Sequence, residues 1–552
     1  MRHLKDISSA SMTVVLVLAS QSAFANELLL TAAREGDIVT LQSLLNSKVD
    51  VNYAKADGGT ALAWAAYGNN PEAVDLLIHA GADINAANDY GVTPLTLACA
   101  NGNSAVVGKL LDAGADPNRA KETGETPLMT CSNSGAVEAV RALLSHKANV
   151  NAKESEEDQT ALMWAVVERL PEVVRELILH GADVHARSKA IPEPEPYLID
   201  MPANETVLGT NYPKTVRFPL MSGGFTPLHF TAQQGDVESA RILLDAGADV
   251  NSPHSEYGSP LVIAIASGHE ELALFLLEKG ADPNIADAWG IAPLHYALHK
   301  GVLILNNFMP SETDRFGWER HNMPRLVEAL IDAGADPNAR IKHSYAFLDN
   351  AFLGRSMNDP PQIDPVGATP LLLAAASGDV ESMKILEEVS DPRATTIGGA
   401  TVFMLAAGAG AERRARREDE AIEAARFALE IGGGSVNDHL TDIAADGPKE
   451  GVEDGRSVAH FVTPLGWTKM IRFLAENGAN LNVEDRYGMT PLQLAMGDPE
   501  GRYNRQIGVH GDYDYRYRNP PSEGKGNKKM IELMLELGAK PFTGEYRDRS
   551  GE

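Results

Sequence analysis

Apolar and polar positions along this chain follow one short pattern, repeated with little change. The clearest copy runs from Gly224 to Asn251, GFTPLHFTAQQGDVESARILLDAGADVN. Thr226 is a hydroxyl N-cap, and Pro227 follows at the first helical position, where its missing N–H leaves nothing unpaired. Leu228 and the small residues after it predict one short helix, which Gly235-Asp236 breaks. A second, amphipathic helix follows, with Val237, Ile242, Leu243 and Leu244 on its apolar side. Gly247 stops it as a glycine just past the helix end, and Ala248 to Asn251 leads into an extended finger. Such a unit is too small to bury its own apolar face, so it calls for neighbours of the same kind.

Neighbours are present. Thr60-Ala-Leu, Thr93-Pro-Leu, Thr126-Pro-Leu and Thr160-Ala-Leu start at steps of 33, 33 and 34 residues. Thr226-Pro-Leu, Ser259-Pro-Leu and Ala292-Pro-Leu continue in steps of 33, and Thr369-Pro-Leu, Thr401-Val-Phe, Ser457-Val-Ala and Thr490-Pro-Leu complete the series. A closing phrase keeps phase independently at Gly81-Ala-Asp-Ile-Asn, Gly114-Ala-Asp-Pro-Asn, Gly181-Ala-Asp-Val-His, Gly280-Ala-Asp-Pro-Asn, Gly334-Ala-Asp-Pro-Asn and Gly478-Ala-Asn-Leu-Asn. With its T-P-L-H phrase and its period, the chain resembles the ankyrin-repeat family over most of residues 27–542. The resemblance implies an all-α solenoid of about twelve helix–turn–helix repeats with β-hairpin-like fingers and long loop insertions. It also implies that a partner is held on the concave first-helix surface and the fingers.

The pattern divides the chain in order. Residues 1–25 read as a signal peptide, 26–190 as repeats one to five, and 191–223 as a Pro-rich inserted arm with Pro at 192, 194, 196, 202, 213 and 219. Residues 224–340 hold repeats six to eight with an insert at 301–324, and 341–366 extend a finger. Residues 367–433 hold repeats nine and ten, with 408–419 inserted between helices, and 434–455 extend the next finger after Gly432-Gly433-Gly434. Residues 456–542 hold repeats eleven and twelve with an insert at 497–527, and 543–552 read as a disordered tail. The final amphipathic helix keeps Lys528, Glu532 and Glu536 on its outer side, as a terminal repeat needs for solubility.

Charge removes one class of function. Acidic residues outnumber basic ones 76 to 48, a net charge of −28, which opposes phosphate-backbone binding and excludes a nucleic-acid partner. Arg2, His3 and Lys5 precede the apolar run Met12–Ala19, and Ala23-Phe24-Ala25 supplies a small-x-small cleavage pattern. The mature chain is therefore expected to begin at Asn26, in the periplasm or outside the cell. No run is long enough to span a membrane as a helix. In an oxidising space Cys99 and Cys131 matter, but they fall on first helices of adjacent repeats, expected about a helix diameter apart. A bridge needs Cα atoms within about 7 Å. The residues read better as two small buried thiols.

Candidate chemistry is sparse. His229, His295 and His460 occupy the fourth place of the repeat phrase, where the resemblance implies hydrogen bonds within and between repeats, together with Thr226, Pro227 and Leu228. His295 and His299 lie four apart on one helix, but no third metal ligand is near. Asp83, Asp116, Asp183, Asp249, Asp282 and Asp336 read as turn carboxylates rather than acid–base pairs. No nucleophile, zinc-protease, dinucleotide or EF-hand motif occurs, so neither an enzyme nor a cofactor is expected. The basic run within Glu412–Glu420 suits an acidic ligand but reads better as an extension of the next helix, its arginines pairing with acids across a solvated face.

Recognition has better candidates. Tyr90, Tyr257, Trp289 and Tyr487 precede finger glycines, where amphipathic aromatics suit an interface. Tyr513, Tyr515 and Tyr517 crowd a charged loop of the kind that adapts to partners. Trp64 and Trp164 recur four places after their capping threonines, for packing or at the edge of the concave face. The chain resembles long exported bacterial ankyrin-repeat proteins whose repeats alternate with irregular insertions. The expectation is an exported, monomeric, non-enzymatic scaffold for a protein partner. The alternative is a small-molecule or metal module formed by the C-terminal insertions.

Overall fold

The computed structural model describes residues 24–192, 221–254, 257–288, 290–298, 322–342, 363, 365–409, 416–441, 455–485, 489–496 and 527–541. The chain divides into two compact units, residues 1–191 with 221–252, and residues 192–220 with 253–552.

In the first unit six first helices stack in series: residues 24–35, Ala61–Tyr67, Pro94–Ala100, Pro127–Asn133, Ala161–Val167 and Pro227–Gln234. Their second helices are Ile38–Asn46, Pro71–His79, Ser104–Asp112, Val137–Ser145, Pro171–Leu179 and Val237–Asp245. From repeat two onward each first helix packs on the next first helix, and second helices stack likewise along the unit. The predicted threonines do start their helices: Oγ1 of Thr60 and Thr93 each accept the backbone N–H three residues on, at 3.2 Å. Asn70 and Asn103 cap second helices in the same way, at 3.0 and 3.1 Å. Caps of this kind contribute about 1 kcal/mol each to helices too short to persist alone. The apolar sides then supply a core of Leu62, Leu77, Leu95, Leu110, Leu128, Leu143 and Leu162, all buried.

The second unit pairs Pro260–Ala266 with Glu270–Glu278, Pro293–Ala297 with Pro324–Asp332, Pro370–Ser377 with Val380–Glu387, Val402–Ala406 with Glu418–Glu430, Val458–Leu465 with Thr468–Glu476, and Pro491–Met496 with Lys528–Glu536. Two of these second helices begin inside intervals read as inserts, at Pro324 and Glu418. Met323 closes that join directly, its N–H bonding Ala297 O at 2.9 Å. The arm expected over 191–223 leaves and returns through paired strands Ile191–Pro192 and Met221–Ser222, and residues 193–220 lie outside the described residues. So do residues 1–23, most of the remaining inserts, and the tail.

The fingers are hairpin-like turns with little pairing. Among the described residues they carry isolated pairs such as Ala54 with Thr60, or Thr395 with Thr401, in place of a ladder. The turn closes too soon: Gly58 N–H bonds Lys55 O at 2.9 Å and leaves room for one pair. Their remaining backbone groups bond sideways to the next finger instead, Glu122 N to Tyr90 O at 3.3 Å and Ser155 N to Thr123 O at 2.8 Å. The aspartates of the closing phrase hold their own turns, Asp83 Oδ1 accepting Asn85 N–H at 3.0 Å and Asp116 Oδ1 accepting Asn118 N–H at 2.9 Å. The asparagines two places on join consecutive repeats. Asn85 accepts Asp116 N–H at 2.8 Å while donating to Gly114 O at 3.2 Å, and Asn118 does the same to Asn149 and Lys147.

The cysteines correct the reading of free thiols. Cys99 and Cys131 form a disulfide, with Cα atoms 4.4 Å apart. The two cysteines come closer than a helix diameter because Ala98, Cys99, Cys131 and Ser132, all small and all buried, lie on these two packed first helices. Small side chains let the backbones approach, and Ser134 Oγ reaches across to Cys99 O at 2.8 Å.

Candidate partner-binding face

Stacked first helices place equivalent positions in a row. The fourth residue after each cap in the first unit is Trp64, Leu97, Thr130, Trp164 and Phe230, and all but Thr130 are only partly buried. The residue just before each cap lies against this row. A Cβ on Gly59 would sit 3.4 Å from Trp64 Nε1, Glu125 accepts from Thr130 Oγ1 at 2.7 Å, and the Phe225 ring meets Phe230 edge-on at 5.6 Å. The bases of the fingers therefore border the row. Tyr67 stands edge-on to Trp64 at 5.9 Å and is 53% exposed, and the Arg34 guanidinium lies over the same indole at 5.1 Å.

The two indoles are unusual in which part they show. Nε1 of Trp64 and of Trp164 is buried and has no hydrogen-bond partner among the described residues. An unpaired buried N–H costs about 1–3 kcal/mol. The side-chain surface that each leaves accessible is therefore hydrocarbon.

Charge is arranged differently on the two sides of the stack. On the second helices of the first unit it is paired across repeats: Lys109 with Asp75, Arg141 with Glu176 at 3.0 Å, and Arg175 with Glu238 at 3.1 Å. At the finger tips the carboxylates of Asp57, Asp89, Glu122, Glu156 and Glu157 are exposed, with the basic Lys55, Arg119 and Lys153 exposed in the same fingers. Three basic residues of the same fingers are engaged: Lys55 with Glu27 at 3.7 Å, Lys121 with Glu125 at 2.6 Å, and Lys153 with Arg187 O at 2.9 Å.

The residues singled out from the sequence fall unevenly. Tyr90 stands 69% exposed at its finger tip. Tyr257 is partly buried with its ring 5.1 Å from that of His254. Trp289, Tyr487, Tyr513, Tyr515 and Tyr517 lie outside the described residues, as does His299. The repeated histidines are buried. His229 Nδ1 lies 2.7 Å from Thr226 Oγ1, while His295 and His460 accept a cap N–H at Nδ1 and meet Ala339 O and Met489 O at 3.0 Å through Nε2. No group of three or more metal-ligating side chains occurs among the described residues.

The basic run behaves differently from the solvated face expected of it. Arg417 does pair with Glu420, at 2.7 Å, in the open. Arg416 is buried, and its guanidinium donates to Ala375 O and Leu405 O at 3.2 Å, at the C-terminal ends of two first helices. Two helix ends with negative dipole character favour a cation there, although burial pushes its pKa down to about 9. It remains charged at neutral pH. Sequence alone ranked the four arginines of this run together, and only packing separates Arg416 from Arg417. Arg416→Met is expected to lower the stability of repeats nine and ten by about 2 kcal/mol, read from the urea midpoint. Arg417→Met, in the same run, should leave that midpoint within about 0.5 kcal/mol.

Three stretches, residues 29–121, 109–188 and 208–287, match the family described as Ankyrin repeats. The chain is 26% identical over 204 residues to the probable E3 ubiquitin-protein ligase XBOS32 of Oryza sativa subsp. japonica, covering 36% of this chain and 37% of that one. It is 26% identical over 292 residues to the E3 ubiquitin-protein ligase KEG of Arabidopsis thaliana, covering 50% and 16%, and 31% identical over 128 residues to human Ankyrin repeat and SOCS box protein 6, covering 21% and 29%. The matches thus span between 16% and 37% of these relatives' own lengths. The human ASB11 ankyrin repeat domain aligns at a TM-score of 0.36 with 25% identity, over 45% of this chain and 96% of that one.

Proposed function

Because this chain is an ankyrin-repeat protein, we propose that it is an exported, non-enzymatic scaffold holding a protein partner on the first-helix face and fingers of repeats two to six. The observation that carries this reading is the row Trp64, Leu97, Trp164 and Phe230, which leaves apolar surface accessible along stacked helices whose other side is closed by packing and ion pairs. Accessible aromatic surface of this kind is where binding energy concentrates. Export is supported by the N-terminal charge, apolar run and cleavage pattern, and by a disulfide, which persists in oxidising compartments. The ligase activity named for two of the relatives is not adopted for this chain, because the similarity leaves most of those proteins unmatched.

The test uses the full chain recovered from its own cells. Its first residue is expected to be Asn26. Immobilised, it should retain a defined partner from the cell envelope, and Trp64→Ala with Tyr90→Ala and Trp164→Ala should abolish retention while helical circular dichroism is unchanged. Retention undiminished in that variant would overturn the choice of face. Recovery of the chain with Met1 in place would overturn export.

A further inference from the structure

Resting on the scaffold reading above, we propose that this face takes an extended, basic polypeptide segment carrying an apolar side chain at every third residue. The row sets the spacing. Adjacent packed helices lie about 10 Å apart, and an extended chain of polyproline II form advances about 3.1 Å per residue with three residues per turn, so one repeat corresponds to about three residues and every third side chain of the occupant faces the row. Trp64 and Trp164 set the apolar character, since the one polar atom of each indole is buried while the residue stays partly accessible. Leu97 and Phe230 continue it.

The finger tips set the charge. Asp57, Asp89, Glu122 and the Glu156–Glu157 pair offer a carboxylate at nearly the same place in four successive fingers, and all are exposed. Of the basic residues in these fingers, Lys55 pairs with Glu27, Lys121 with Glu125 and Lys153 with a backbone carbonyl, while Arg119 is exposed beside Glu122. By contrast, the second helices pair acid with base from repeat to repeat. A segment lying along the row would therefore bury its apolar side chains against the indoles and direct Lys or Arg outward to the finger carboxylates. An acidic segment would meet repulsion at each finger.

The experiment measures fluorescence anisotropy of labelled peptides against the full chain. The probes are about five triplets of Leu-Lys-Gly, the same composition with the leucines moved to alternate positions and clustered, and the Leu-Glu-Gly counterpart. The triplet cationic peptide is expected to bind at least about tenfold more tightly than either other probe at low salt. Asp57→Asn with Asp89→Asn and Glu122→Gln should weaken it about tenfold and flatten its salt dependence. Trp64→Ala with Trp164→Ala should remove binding with helicity retained. Equal binding of the rearranged or acidic peptide, or indifference to the carboxylate substitutions, would overturn the proposal. If those arms fail while envelope-partner retention still depends on Trp64, Tyr90 and Trp164, the scaffold reading stands and only the partner chemistry is wrong. If retention is also indifferent, both are wrong.

Discussion

Replacing Cys99 and Cys131 together by alanine is expected to lower the stability of the first unit by about 4 kcal/mol, the largest effect anticipated for any change outside the leucine core. The bridge spans 32 residues, and cross-linking a loop of that length removes unfolded-chain entropy worth about 4 kcal/mol at 25 °C. Alanine is the informative substitution because Ala66 and Ala65 hold the matching places in repeat two, so no cavity or clash accompanies the loss. Chemical reduction of the unmodified chain should shift its urea midpoint by the same amount, and reduced chain and double variant should coincide. The denatured, unreduced protein should expose no free thiol, and the reduced protein two. Two thiols before reduction would refute the bridge. A midpoint unmoved by reduction would show that the staple adds nothing to a seam already held by packing.

The second large effect concerns acid. His295 is fully buried, and burial drives its pKa from 6.5 to about 4, against the pull of nearby carbonyls and Asp336. Its Nδ1 accepts Ala292 N–H at 3.0 Å, so the proton sits on Nε2, which donates to Ala339 O at 3.0 Å. Protonating Nδ1 would replace an accepted hydrogen bond with two opposed donors inside the core. The folded pKa lies below the unfolded one, so the unfolded state binds the extra proton first. Stability is therefore fully present above about pH 6.5 and is lost as pH falls toward 4, by about 3 kcal/mol in all. Urea unfolding of repeats seven to nine at pH 7 and pH 4.5 measures this. His295→Gln, which can still accept the cap N–H, should lower stability at pH 7 and flatten the acid slope. An acid slope identical in the variant would assign the loss to other groups.

In both cases the deciding contact joins residues distant in sequence, Cys99 with Cys131 and His295 with Ala339. The repeat phrases identified most of the helices, the hydroxyl caps of first helices and the place of each histidine, because local rules decide them: a hydroxyl before Pro-Leu, a glycine after the apolar stripe, and a carboxylate in a turn. Each depends on residues within a few places of each other. Sequence also marked Trp64 and Trp164 as a repeated position, without saying which edge of the ring is hidden. The conspicuous finger aromatics were harder to rank by composition, since Tyr90 is exposed while Tyr257 rests on a histidine ring.

What the amino-acid order determined by itself was the repeating unit, its twelvefold use and the excess of negative charge, all properties of short windows or of sums. Tertiary structure alone decided that Cys99 and Cys131 meet, that Asn85 and Asn118 tie one repeat to the next, and that Arg416 is buried while Arg417 is not. Those outcomes depend on how closely two backbones approach across a seam some thirty residues long in sequence. That distance follows from the joint volumes of side chains from both repeats, and a reading that moves along one strand of residues does not contain it.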